Sequence, residues 1–116
     1  MKTLLGDGSQ NWGESIAVDG SGNVFITGFF SSTALTSGTF TLSQQSVSTY
    51  DTFIMKFNSA GAIQWGKILG GATTQYLKAD YSVDLTINGT NVYVVGLIIG
   101  SNTVTFDGLS VTPSSL

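Results

Sequence analysis

The chain has 116 residues, 41% of them apolar and only 9% charged, with a net charge of −3. Four scattered lysines (Lys2, Lys56, Lys67 and Lys78) and no arginine leave no cationic patch to neutralise phosphates, which argues against nucleic-acid binding. Histidine and cysteine are absent and Glu14 is the one glutamate, so disulfides, thiolate metal sites and the usual acid–base and nucleophilic side chains are excluded or scarce.

Met1-Lys2-Thr3-Leu4-Leu5 stops at Gly6-Asp7-Gly8 before an h-region forms, and it reads as a strand with no targeting segment. Ser15 to Asp19 alternates as a first strand, Gly20-Ser21-Gly22 is a turn, and Asn23 to Phe30 is a second strand pairing back on the first. Residues 31–49 are Ser/Thr-rich and read as a long surface excursion with a short strand at Thr39-Phe40-Thr41-Leu42. Thr52 to Phe57 and Ala62 to Leu69 flank Asn58-Ser59-Ala60-Gly61, a second hairpin whose glycine stands where positive φ is needed. The longest apolar run, Val92 to Ile99, is broken by Gly96 and is far shorter than the roughly 20 residues that cross a bilayer as a helix, so no membrane insertion is expected.

The strand and turn pattern then repeats. Asn23-Val24-Phe25-Ile26-Thr27-Gly28 returns 68 residues later as Asn91-Val92-Tyr93-Val94-Val95-Gly96. Ser82 to Ile87 matches the first strand at an offset of 69, because Asn88-Gly89-Thr90 makes a turn one residue shorter. Thr105 to Leu109 resembles the excursion after the first copy, and Lys2 to Gly6 resembles Lys67 to Gly70. Repetition of a strand–turn–strand unit marks an array fold, in which one unit needs a neighbour to bury its apolar face. The expected organisation is a trailing outer strand and connection over 1–14, a complete four-stranded unit over 15–71 and half of a following unit over 72–116.

Asp19, Gly22, Asn23 and Gly28, followed by Asp51, Phe53, Lys56, Gly61, Trp65 and Gly70, with Asn91 and Gly96 in the second copy, form an ordered set of motifs. Over residues 5–71 this set resembles the SBBP family of bacterial β-propeller repeats. The resemblance implies an all-β fold of four-stranded antiparallel meander blades, about one and a half of them, in an incomplete propeller. It also implies a secreted or surface-attached bacterial protein. Blades pack face to face around a channel, so Ile16, Val18, Val24, Ile26, Phe53 and Met55 are expected to supply inter-blade core, with Trp65 and Tyr93 as large anchors. Uncovered end faces would leave an apolar patch, so the expected partners are adjacent blades or further copies of the chain.

Candidate chemistry is sparse. Asp19-Gly20-Ser21-Gly22-Asn23 has the oxygen-rich look of a calcium loop but lacks further acidic ligands, and it reads first as a turn. Asp80 and Asp84 are a candidate carboxylate pair for glycosidic hydrolysis, set against a plain solvent-facing role. Asn88-Gly89-Thr90 fits the N-glycosylation pattern and also an ordinary hairpin turn, and Gly70-Gly71 lacks the context of a phosphate loop. Trp12, Phe29, Phe30, Tyr50, Tyr76 and Tyr81 would stack sugars if exposed, and otherwise pack in a core. The expectation is a non-catalytic scaffold for protein or glycan ligands, without cofactor or metal. The contrasting reading is a piece of a glycan-acting hydrolase whose active site lies on other blades.

Overall fold

The computed structural model describes residues 10–45, 50–69, 84–96, 103–106 and 108–111. Among these residues the protein is all-β, with antiparallel sheets and no helix. Strands β1 (Asn11–Val18), β2 (Val24–Phe30), β5 (Asp51–Phe57) and β6 (Ile63–Leu69) form one sheet in that order. Hairpins β3 (Ala34–Ser37) with β4 (Phe40–Ser43), β7 (Asp84–Asn88) with β8 (Asn91–Val95), and β9 (Val104–Phe106) with β10 (Leu109–Val111) form separate two-stranded sheets.

The first strand begins at Asn11, four residues before the expected Ser15. The reason is a bulge: Gly13 pairs with Gly28 and Ser15 with Thr27, so Glu14 is an extra residue that breaks the period-two pattern. The register then assigns the faces. One face of the sheet carries Ile16 and Val18 from β1, Val24, Ile26, Gly28 and Phe30 from β2, Phe53, Met55 and Phe57 from β5, and Ile63, Gly66 and Ile68 from β6. The opposite face carries Trp12, Ser15 and Ala17, then Phe25, Thr27 and Phe29, then Ile54 and Lys56, and finally Trp65 and Lys67.

The excursion between β2 and β5 is the main departure from expectation. It folds as the β3–β4 hairpin and lies on the first face, where Leu35 and Leu42 join Phe30, Phe53, Met55 and Phe57 in the buried core. A polar sequence hides this because only alternate residues of so short a hairpin face inward; Thr36 and Thr41 pair on its other side. Close seating of the hairpin needs Gly66: a Cβ there would stand 3.0 Å from both Leu42 Cδ1 and Phe40 Cζ. The hairpin therefore covers the β5–β6 half of the face, while Ile16 and Val18 on β1 remain exposed.

Candidate functional site

Two sites follow from this architecture: the contact between the repeats, and the loops and rings at the sheet's two ends. At one end the β1–β2 and β5–β6 connections are the same loop built twice. Asp19 Oδ1 accepts from the N–H groups of Ser21 and Asn23, both at 2.9 Å. Asn58 Oδ1 accepts in the same way from Ala60 at 3.1 Å and Ala62 at 2.8 Å. Each loop closes with Gly22 or Gly61 at positive φ (79° and 76°), which a side chain would strain. The Asx residue substitutes for a backbone acceptor, which is why Asp19 and Asn58 are interchangeable here.

That geometry settles what Asp19 does. Its second oxygen accepts from Asn23 Nδ2 at 2.7 Å, so the carboxylate is engaged by its own loop, as the turn reading expected. The Asn23 side chain chiefly, then the backbone N–H groups of Asn23 and Ser21 and the charge of Lys56, hold the Asp19 carboxyl below the usual range against an opposing desolvation. Lys56 itself sits 5.2 Å above the Phe25 ring, and Trp65 meets the same ring edge-on at 6.0 Å. Among the described residues no three acidic side chains come together as a metal cluster.

Asp84 is also held by the chain. Ser15 Oγ donates to Asp84 Oδ1 at 2.6 Å and the Leu85 N–H donates to the same oxygen at 2.8 Å. The Ser15 hydroxyl first, and Leu85 second, lower the Asp84 pKa. For both aspartates the folded pKa is depressed below an unfolded value of about 3.9. Their stabilisation is therefore complete above that value and is lost as pH falls through the lower folded pKa. The expected result is that NMR titration places Asp19 and Asp84 below ordinary carboxylates and that Ser15→Ala moves Asp84 back upward while leaving Asp19 unchanged. An Asp84 titration indifferent to Ser15→Ala would refute the assignment.

Ser15 was not singled out from sequence, although the signal was present. It and Asp84 occupy the same position of the two repeats, 69 residues apart. Strand β1 packs beside its counterpart β7, and the pairing of the second hairpin reproduces that of the first: Ser15 opposite Thr27 becomes Asp84 opposite Val95, and Ile16 opposite Ile26 becomes Leu85 opposite Val94. The second repeat thus lies against the second face of the first. Phe25, Thr27, Phe29 and Ile54 are buried on that face, and Val94 and Phe106 enclose a small cavity with Thr27, Thr52 and Ile54. Thr27 is tolerated there because its hydroxyl donates to the Phe53 carbonyl at 2.7 Å.

At the other end of the sheet Trp12 stacks on Phe29 (4.8 Å, 40°) and reaches Tyr50 at 5.7 Å. Tyr50 Oη donates to Gln10 Oε1 at 2.5 Å, and Ser31 is bonded to the Gln10 backbone. Trp12 keeps part of its ring in solvent, whereas Phe30 lies wholly in the core beside Phe53. A cleft of about 370 Å³ opens beside β1 on the first face, lined by Asn11, Glu14, Ile16, Ile26, Leu35 and Phe53 among others.

The remaining motif residues fall in structural places. Buried Asp51 accepts from the Gln45 N–H at 2.6 Å, tying the start of β5 to the segment after β4. Phe53 is core, Gly28 lies under the β1 backbone, and Asn91 closes the β7–β8 turn opposite Asn88. Asn88-Gly89-Thr90 is that turn, with Gly89 at φ 62°, and exposed Gly96 follows β8. Gly70, Gly71, Tyr76, Asp80 and Tyr81 lie outside the described residues.

Comparison with known families agrees with this geometry. Residues 2–28 match the SBBP family model, a beta-propeller repeat. The match ends at Gly28, just before the connection that leads into the inserted β3–β4 hairpin. No curated protein and no solved structure matches the chain.

Proposed function

We propose that the chain is a non-catalytic β-propeller repeat module of a bacterial secreted or cell-surface protein, acting as a rigid scaffold that presents its sheet ends to protein or glycan ligands. On this proposal the units are a trailing outer strand and connection over 1–14, a complete blade over 15–71 and the first half of another over 72–116. One observation carries the reading: β1 packs beside β7, the same strand of consecutive repeats, and the equivalent residues Ser15 and Asp84 are hydrogen-bonded across the contact, as neighbouring inner strands around a common axis would be.

The available chemistry supports a binding role. The described aspartates are engaged in structural hydrogen bonds, and the chain holds no histidine, no cysteine and a single glutamate. The Trp12 ring, braced by Phe29 and Tyr50 and flanked by the Gln10 amide, is the surface on which a sugar ring would stack. A glycan array probed with the wild-type chain and with Trp12→Ala tests this. Binding that drops about tenfold or more in the variant, with an unchanged β-sheet circular dichroism spectrum, is the expected result. Wild-type chain that binds no glycan rejects the glycan role, and turnover of an oligosaccharide rejects the non-catalytic one.

A further inference from the structure

Asn88-Gly89 is the single Asn-Gly step in the chain, and the fold sets it at the tip of the β7–β8 hairpin. The last rung of that hairpin joins Asn88 to Asn91, so Gly89 and Thr90 alone make the turn, with Gly89 at φ 62°. All four residues are exposed. A neighbouring repeat does not close such a tip: the second repeat packs against the first, yet Gly20 and Ser21 at the equivalent turn are exposed as well. The other described asparagines are guarded by a hydrogen bond, by the side chain that follows, or by both. Asn58 Oδ1 accepts from the Ala60 and Ala62 N–H groups, Asn23 Nδ2 donates to Asp19, and Asn11 Oδ1 accepts from the Ser32 hydroxyl. Asn91 precedes β-branched Val92. Asp19-Gly20 shares the glycine, but its carboxylate is held by Ser21 and Asn23. The turn after Asn88 is one residue shorter than that loop, and among the described residues no side-chain partner holds the Asn88 amide.

We propose that Asn88 is a site of spontaneous modification, at which the chain converts its own asparagine to aspartate and isoaspartate with water as the co-reactant. The Gly89 main-chain nitrogen attacks the Asn88 side-chain carbonyl carbon. A new C–N bond forms there, the Cγ–Nδ2 bond breaks, and the Gly89 proton departs with the amide as ammonia. One water then adds to either carbonyl of the resulting succinimide and opens it to a carboxylate. Glycine favours the step because no Cβ stands beside the attacking nitrogen and its backbone accepts the geometry of the ring. The nitrogen lies beyond the last rung, at the end of a ladder that opens more readily than its middle. Both products add a negative charge. Aspartate puts at 88 the residue type that Asp19 supplies to the first repeat, whereas isoaspartate inserts a methylene into the main chain of a two-residue turn. The second product breaks the Asn88–Asn91 rung and loosens the hairpin that carries buried Leu85 and the Ser15-bound Asp84.

The full chain, incubated folded in mildly alkaline buffer and unfolded in the same buffer with urea, tests the site by peptide mapping, with enzymatic methylation locating the isoaspartate. Product is expected at Asn88 in the folded chain at a rate within about threefold of that in urea, whereas folding is expected to slow Asn58 about tenfold or more. Asn88→Gln, whose longer side chain disfavours ring closure, is expected to abolish the acidic charge variant that wild type develops on isoelectric focusing. Hydrogen exchange of the isoaspartate form should show lost protection in residues 84–95 and wild-type protection in 51–57. Folding that slows Asn88 more than about threefold, product arising no faster there than at Asn58, or an acidic variant that persists in Asn88→Gln would each overturn the site. Unchanged protection in the isoaspartate form would overturn its loosening of the second repeat.

Discussion

Gly28→Val is expected to prevent the four-stranded sheet from forming, and Gly28→Ala to destabilise it by about 3 kcal/mol or more. A Cβ at Gly28 would lie 1.9 Å from the Trp12 carbonyl oxygen and 2.9 Å from Gly13 Cα. Both obstacles are backbone, so no rotamer change relieves them and β1 must leave its place beside β2. The Glu14 bulge lies next to this contact, immediately after Gly13, which faces Gly28. Such a loss is a large fraction of the about 5–15 kcal/mol that holds an ordinary domain together. Gly13→Ala is the control: nothing stands within 4 Å of its would-be Cβ, and its chemical denaturation midpoint should stay close to wild type. Equal denaturation midpoints for Gly28→Ala and Gly13→Ala would refute the steric account.

The second large effect is expected at Phe30→Ala, a loss of about 3–5 kcal/mol. Phe30 is completely buried where the sheet meets the β3–β4 hairpin, its ring 6.2 Å from that of Phe53 at a steep angle. Truncation removes the transfer energy of a large ring and leaves a cavity between two elements. The hairpin rests on Gly66 through Leu42 and Phe40, so a cavity at its other edge should loosen it first. Hydrogen exchange should therefore show lost protection in residues 34–43 of the variant beyond that in β5 and β6. Uniform loss across the sheet would mean that the hairpin and the sheet open as one unit. Phe29→Ala, one residue away on the opposite face, should instead disturb Trp12 and Tyr50.

Much of the fold was legible in the residues because the signals are local. Alternation in Val24 to Phe30 and Asp51 to Phe57 assigned each side chain to a face, and Asx residues with a glycine three positions later marked both four-stranded-sheet hairpins. The six residues expected on one face, from Ile16 to Met55, do share it. Their burial was less legible. Phe53 and Met55 are core, but Ile16 and Val18 are exposed, since the β3–β4 hairpin covers only the other half of that face. Trp65, expected to anchor an interface between blades, meets Phe25 within its own sheet, and Tyr93, expected to do the same, stands in solvent. Phe30 appeared among possible sugar-stacking rings, and the return of the hairpin places it in the core instead.

By itself the sequence determined the repeat, its strand order and its two-faced pattern, because backbone preference at an Asx–Gly loop and the twofold period of a strand involve only neighbouring residues. Only the tertiary structure decided that the polar excursion folds back to bury Leu35 and Leu42 and that Ser15 reaches Asp84. The same holds for which copy of each repeated residue is covered. These outcomes depend on which surfaces meet across dozens of residues of chain, and identical local patterns at Ile16 and Leu85 end in opposite environments for that reason.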